Sequence, residues 1–418
     1  MTRTNLKILY INGSFKNDSG CAVIANSTYE LFKQKGYSCE YFTTKNTSYD
    51  NNYKYAKYFP EAYNTTLKYI KNLTNYYYNR TAKANLVKVL DDFNPDLVHV
   101  HSLRISSLTY SVLNPLIERK IPIVMSLHDA FLLCPMMTLT KNGNNFCGKF
   151  ECKSINKLPC LINMCGDNLE QNIRMALMSF VNKLTGYDKR IQKFIAPSKA
   201  LADIMIKNNS DINSNNIVVI NNFLSNEELK TVPNYTNSGY FLYIGRLSPE
   251  KGAHYLLKAM KDLPKEIKLK IAGTGTEEEK LKKFANTNNL DNVEFLGFKN
   301  REEVNDLYQN CISTILPCNW FEIFGMTNIE SFINGKPVIA SNIGGIPEIV
   351  EDNINGLLFE PGNVEQLKEC ILKYWNNPEL AIEHGKNGYK KAISQYTEEQ
   401  YYNKLIKIYE EVLNESKK

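Results

Sequence analysis

Short apolar runs rich in branched residues recur along this chain, and longer stretches between them return an apolar residue every three or four positions. The first pattern suits a strand buried on both faces, the second a helix lying over it; their alternation predicts parallel sheets covered by helices, an α/β class. Two series are legible. The first predicts strands near Lys7–Ile11, Ser38–Thr43, Leu97–His101, Pro122–Leu127, Lys193–Ala196 and Ile217–Ile220, with helices such as Val23–Lys35 and Leu86–Phe93. The second predicts strands at Tyr240–Ile244, Lys268–Ala272, Val293–Leu296, Ser313–Leu316, Pro337–Ala340 and Leu357–Phe359, with helices such as Ala253–Met260 and Glu277–Ala285.

The polar segment Ser225–Gly239 reads as a linker, and strand signals cease after Gly362. This predicts an N-terminal domain over 1–222, a C-terminal domain over 223–377, and helices over 378–418 that pack back on the first domain. Two inserts interrupt the first series: a Tyr-, Asn- and Lys-rich stretch over 44–81, and a cysteine-containing one over about 130–167. Both follow strands, and ligands of open α/β sheets bind beyond the carboxyl ends of strands. An acceptor or lipid contact and ordinary surface helices are both open for the Tyr-rich insert.

A length of 418 residues exceeds one ordinary domain, and 43% hydrophobic with 22% charged residues excludes global disorder. No run approaches the roughly 20 apolar residues of a membrane span. The start, MTRTNLKILYING, enters a strand-like run without the features of a secretory signal, which predicts a cytoplasmic protein. Ten cysteines in a reducing compartment argue against a disulfide framework. Four of them, Cys147, Cys152, Cys160 and Cys165, cluster at separations of five, eight and five residues, without the short knuckle common in zinc sites. A structural zinc ion and four plain thiols are the two readings. Charge is uneven: residues 1–190 hold 24 Lys and Arg against 14 Asp and Glu, a net +10. That half could face an anionic membrane surface or an acidic acceptor, or be simply solvated; nothing points to nucleic acid.

Two segments carry candidate chemistry. In Gly245-Arg246-Leu247-Ser248-Pro249-Glu250-Lys251-Gly252, a buried strand ends in glycine and two cations follow five positions apart. A guanidinium fork and an ammonium suit diphosphate oxygens. In Glu322-Ile323-Phe324-Gly325-Met326-Thr327-Asn328-Ile329-Glu330, two carboxylates stand eight positions apart around a glycine. Gly325, Met326 and Thr327 fall at a helix N-terminus, whose backbone N–H groups can take a phosphate, while the carboxylates accept from sugar or ribose hydroxyls.

These segments resemble the donor-binding motifs of glycosyltransferase family 4, retaining enzymes of the GT-B fold. The resemblance extends to Pro95–His101, His128-Asp129, Phe194–Ser198, Ile271–Gly275, Phe295–Gly297 and Gly344–Glu348. It implies two Rossmann-like domains facing a cleft. It further implies that Arg246 and Lys251 neutralise the diphosphate, Glu330 holds the ribose, and Gly297 and Phe298 meet the base. Glu322 and, from the opposite domain, His128 would contact the donor sugar. Relatives often carry a paired glycine after the first strand; here Gly13 and Gly20 are the candidates, separated by six residues.

The expected activity is retaining transfer of a hexose or N-acetylhexosamine from a nucleotide diphosphate sugar, UDP ahead of GDP, to a glycan or lipid-linked acceptor in envelope polysaccharide synthesis. No catalytic cofactor is expected. The alternatives are a sugar-nucleotide epimerase or hydrolase on the same scaffold, or a non-catalytic glycan-binding protein.

Overall fold

The computed structural model describes residues 6–13, 20–45, 53–61, 78–103, 108–135, 137, 139–141, 145–147, 162, 165, 169–209, 211–236 and 239–417. Its strands are β1 (Lys7–Asn12), β2 (Ser38–Phe42), β3 (Leu97–Ser102), β4 (Ile123–Ser126), β5 (Thr140–Lys141), β6 (Asn145–Phe146), β7 (Lys193–Ala196), β8 (Ile217–Val219), β9 (Tyr240–Ile244), β10 (Lys268–Ala272), β11 (Val293–Gly297), β12 (Ser313–Leu316), β13 (Val338–Ser341) and β14 (Gly356–Phe359). The helices are α1 (Gly20–Gln34), α2 (Arg80–Phe93), α3 (Leu113–Glu118), α4 (Leu169–Thr185), α5 (Lys199–Asn208), α6 (Asn226–Leu229), α7 (Ala253–Lys261), α8 (Glu278–Thr287), α9 (Arg301–Gln309), α10 (Met326–Ile333), α11 (Ile346–Ile349), α12 (Val364–Asn376), α13 (Pro378–Gln395) and α14 (Glu398–Glu415).

One sheet runs β2-β1-β3-β4-β7-β8 and the other β11-β10-β9-β12-β13-β14, with every neighbouring pair parallel. The residues of β3, β4, β7, β12 and β13 are almost all buried, as strands covered by helices on both faces must be. The Rossmann-like pattern expected from the alternation of runs is therefore present twice, in a two-domain GT-B arrangement. In the second sheet the chain leaves β9 toward β10 on one side and returns at β12 on the other. The crevice beyond the carboxyl ends of β9 and β12 is thus the place where such a sheet binds ligands.

Local signals hold the helices in register with this plan. Asn79 caps α2 through the Ala82 N–H, Ser198 caps α5 through that of Leu201, and Asn300 and Glu303 form a capping box on α9. Helix α13 packs on α10, with Ala392 and Tyr396 sharing a cluster with Phe332 and Ile333. The last helix does something else: α14 buries Tyr401, Leu405, Tyr409 and Val412 against Ile8, Tyr10, Phe32 and Leu97 of the first domain. Ion pairs Lys35–Glu399 and Lys193–Glu411, both 2.6 Å, border that contact.

Candidate functional site

The loop after β9 is built by backbone. Gly245 N–H donates to the Ala272 carbonyl at 3.1 Å and Leu247 N–H to that of Thr274 at 2.9 Å, which aligns the loop with the one after β10. Arg246 keeps 63% of its side chain exposed while Glu250 takes its Nη2 at 2.6 Å and Ser248 its Nε at 3.2 Å. The fork is oriented yet open to solvent. Burial works against the Glu250 charge, but the Ser248 hydroxyl, its own backbone and Arg246 together hold it below the usual carboxylate range. Pro249 does not open α7 directly: Pro249–Lys251 forms a 3₁₀ turn that ends at Gly252, and the helix starts at Ala253. Gly252 sits at φ 73°, and a Cβ there would lie 1.8 Å from the Pro317 carbonyl oxygen, so glycine is required to press this loop against the one after β12.

That close approach brings the two sequence segments into contact. Lys251 Nζ lies 2.7 Å from Glu322 Oε2 and 4.7 Å from the centre of the Trp320 ring, and Trp320 Nε1 donates to the same carboxylate oxygen at 3.1 Å. Desolvation disfavours the Lys251 ammonium, but Glu322 outweighs it and raises the ammonium above its ordinary value. Lys251 is charged throughout the physiological range. Gly325, at φ 91°, begins α10 with no side-chain cap, leaving the helix N-terminus at Met326 and Thr327 beside this pair.

Both domains hold the Glu322 loop. Gly345 N–H donates to the Glu322 carbonyl at 2.7 Å, and Ser198 of the first domain donates its hydroxyl to the Ile323 carbonyl at 2.6 Å. Phe321 and Ile323, on either side of Glu322, are buried in the first domain's apolar cluster. Glu348 accepts from the N–H groups of Lys199 at 2.8 Å and Ala200 at 2.7 Å, supplying the first turn of α5 with a carboxylate from across the interface.

Glu330, on α10, accepts from the Tyr308 hydroxyl at 2.9 Å; burial lifts its carboxyl above the usual range, with that hydrogen bond opposing. Gly297 ends β11 and the next residue, Phe298, is 79% exposed.

In the first domain, His128 follows β4 and joins a row of imidazoles. His101 Nδ1 and His128 Nε2 are 3.0 Å apart, the ring centres of His99 and His101 are 4.2 Å apart, and His99 bonds Tyr409 of α14 and Ser126. Burial drives His128 down to about 4 and His99 to about 3, and holds His101 well below the ordinary imidazole range as well, so all three are neutral near pH 7. His101 Nε2 is buried with no hydrogen-bond partner among the described residues. A proton there would be an orphaned donor, whereas a bare lone pair is the cheaper of the two to leave unpaired. Among the described residues this favours a proton on His101 Nδ1, donated to His128 Nε2, with His128 then protonated on Nδ1.

Gly13, at the end of β1, is buried and its carbonyl accepts from Thr44, and Gly20 is the exposed first residue of α1; the residues between them lie outside those described. Cys147 and Cys165 are buried and not in disulfides, while Cys152 and Cys160 lie outside the described residues. Among the described residues no group of three or more His, Cys, Asp or Glu could hold a metal. Sequence reasoning overlooked Trp320, Glu250, Ser198, Tyr308, Glu348 and His101. Glu250, Ser198, Glu348 and His101 stand in the motif segments the sequence singled out and Trp320 two positions before Glu322, but none was given a role there.

Residues 20–228, half of the chain, match the family model described as Glycosyltransferase Family 4, and 225–391 match Glycosyl transferases group 1. The chain belongs to glycosyltransferase family 4. Among family relatives, an uncharacterized glycosyltransferase of Methanocaldococcus jannaschii is 37% identical over 208 residues, 50% of this chain and 57% of that protein. The O-antigen chain mannosyltransferase C of Escherichia coli is 29% identical over 176 residues, 42% of this chain and 47% of that one. The chain thus spans about half the length of the curated relatives it matches. In fold it is similar to Anabaena HepE solved in complex with UDP-glucose, with a TM-score of 0.68, 19% identity, and coverage of 97% of this chain and 100% of that one.

Proposed function

We propose that this family 4 member is a retaining glycosyltransferase that moves a hexose or N-acetylhexosamine from a nucleotide diphosphate sugar to a glycan or lipid-linked acceptor of envelope polysaccharide, at the inner face of the cytoplasmic membrane. A UDP-sugar is favoured over a GDP-sugar. The observation that carries the reading is the Lys251–Glu322 pair, 2.7 Å apart beside the open N-terminus of α10, in a loop gripped by both domains. A cation and helix N–H donors suit a diphosphate, and a carboxylate next to them suits the hydroxyls of the sugar it carries.

In this mechanism Arg246, Lys251 and the N–H groups of Met326 and Thr327 take up the negative charge that grows on the departing diphosphate. Gly13 and Gly20 would let first-domain backbone approach the same group. Glu322 and the Nδ1–H of His128 orient the sugar; Glu330 accepts from the ribose through the oxygen that Tyr308 leaves free, and Phe298 offers its exposed ring to the base beside Gly297. The bond from the anomeric carbon to the phosphate oxygen breaks, the acceptor oxygen bonds the same face, and the departing phosphate takes the acceptor's proton. Positioning and fixed charge supply the rate, and no protein base is needed. HepE bound to UDP-glucose and the O-antigen mannosyltransferase support the substrate class.

A thermal-shift screen of UDP-, GDP- and ADP-sugars tests the donor: a UDP-sugar should raise the unfolding temperature most, and no response to any of them refutes the reading. Turnover of the stabilising donor without acceptor, to a free sugar or an epimer, would instead favour the hydrolase or epimerase. For the cysteine group Cys147, Cys152, Cys160 and Cys165, plain thiols and a structural zinc ion are the two readings put to test. Metal analysis of protein purified without added zinc decides between them: one zinc per chain supports the ion, and metal-free protein removes it.

A further inference from the structure

Helix α4 is inside-out for a helix facing water. Its solvent side carries Leu169, Ile173, Leu177, Phe180 and Leu184, which are 55%, 48%, 43%, 37% and 59% exposed. At 3.6 residues per turn these five fall within an arc of about 80° and form a stripe about 22 Å long. The side turned toward the protein holds Asn172, Ser179 and Asn182, all buried, with Ala176 and Met178. An ordinary surface helix has the reverse arrangement. The one acidic residue within α4, Glu170, is engaged by Arg174 at 3.3 Å. At the far end the chain turns through Tyr187–Arg190 and exposes Lys189 and Arg190, which have no acidic partner among the described residues. The domain that bears the stripe is the basic one.

From this juxtaposition we propose that α4 is the membrane-docking element of the protein, its apolar stripe lying in the interface of an anionic bilayer with Lys189 and Arg190 on the headgroups. The inference rests on the membrane-associated part of the proposed function and names the surface responsible. A narrow apolar stripe ending in free cations is the arrangement by which a helix lies in the plane of an anionic membrane. A second copy of the chain fits less well. The patch measures on the order of a few hundred Å², short of the roughly 800 Å² per partner that a stable protein–protein interface covers. Like-charged ends would also meet if two stripes paired in parallel.

The test is co-sedimentation of the full chain with vesicles of phosphatidylglycerol and phosphatidylcholine, and with phosphatidylcholine alone. The wild-type chain should bind the mixed vesicles, and the double variant Ile173→Ser/Leu177→Ser should partition at least about ten-fold less, since two apolar anchors are lost. Lys189→Glu/Arg190→Glu should abolish the preference for anionic vesicles, and the emission of Leu177→Trp should shift to the blue when those vesicles are added. All of these positions are on the solvent side, so circular dichroism and thermal unfolding should stay as in the wild type. Equal vesicle binding by wild type and the double serine variant overturns the proposal, as does failure of the wild type to bind. So does a wild-type dimer in light scattering that the serine pair dissociates without changing vesicle binding. Stabilisation by UDP-sugar, measured on the same variants, should be unchanged. If it is absent even in the wild type while vesicle docking persists, the donor reading fails and the docking surface stands.

Discussion

Lys251 and Glu322 form an ion pair at 2.7 Å, and a diphosphate sugar would have to compete for both. Lys251→Ala removes a preorganised positive charge from the departing group and is expected to lower kcat by about 10²–10³-fold. Glu322→Gln keeps the shape but loses the charge that supports Lys251, so it should weaken both donor binding and turnover. Steady-state kinetics with saturating acceptor measures both; unchanged turnover in either variant would revive a non-catalytic protein. A second residue-scale expectation concerns His101, which touches no candidate substrate but sets the tautomer of His128. ¹⁵N NMR of the imidazoles should find His128 protonated on Nδ1 in the wild type. His101→Asn keeps an N–H close to where Nδ1 stands and should retain both that signature and the donor KM, whereas His101→Leu should lose both. A His128 protonated on Nε2 in the wild type would sink the assignment. The meeting of Lys251 with Glu322 joins two segments that the sequence had singled out by residue type, a cation and a carboxylate. The roles of His101, Trp320 and Glu250 were not legible, because what a side chain orients depends on which neighbour the fold brings to it.

Among the elements, the loop from Phe321 to Gly325 depends most on its surroundings. It sits after a strand of the second domain, lodges its flanking side chains in the core of the first, and takes a brace from Gly344 and Gly345. Gly344 has φ 61°, and a Cβ there would lie 2.1 Å from the Glu322 carbonyl oxygen. Gly344→Ala must strain the left-handed backbone, at a cost of roughly 1–2 kcal/mol, and also push the Glu322 loop aside. We expect a lower unfolding temperature together with loss of stabilisation by nucleotide sugar; calorimetry with and without UDP-sugar reads both. A normal ligand response in a merely less stable variant would show that the brace does not position the loop. The sequence made the strands legible because buried β-branched runs have a short period of their own, and Tyr240–Ile244, Lys268–Ala272 and Ser313–Leu316 lie where that pattern put them. The 3₁₀ turn at Pro249–Lys251 was not legible, since it answers to the approach of Pro317, 65 residues beyond Gly252 in the chain, rather than to local propensity.

For the whole molecule, the row His99, His101 and His128 connects the cleft side of the first domain to the last helix through Tyr409. Unfolded histidines take up a proton near pH 6.5, whereas in the folded protein burial holds His128 down to about 4 and His99 to about 3. Between about pH 6.5 and 4 the unfolded chain binds more protons, so the stability these groups lend is present above that window and is lost as the pH falls through it. Urea unfolding at a series of pH values should show this decline, and His99→Asn/His101→Asn should flatten it; an equal slope in the variant would assign the decline to other groups. Loss of α14 is the accompanying event to look for, because Tyr409 bonds His99 directly.

Local chemistry alone determined much about this protein. The alternation of buried runs and amphipathic stretches dictates two parallel sheets, since such strands have no other way to cover both faces. The segments around Arg246, Lys251, Glu322 and Glu330 are where the sequence resembles glycosyltransferase family 4, to which the chain belongs. Only the tertiary structure decided which of these residues meet: the second sheet's reversal beside β9 brings Gly252 onto Pro317 and so Lys251 onto Glu322. Only it turned the apolar side of α4 outward, because which side of a helix is covered depends on what the rest of the chain leaves beside it, and no period in a sequence records that.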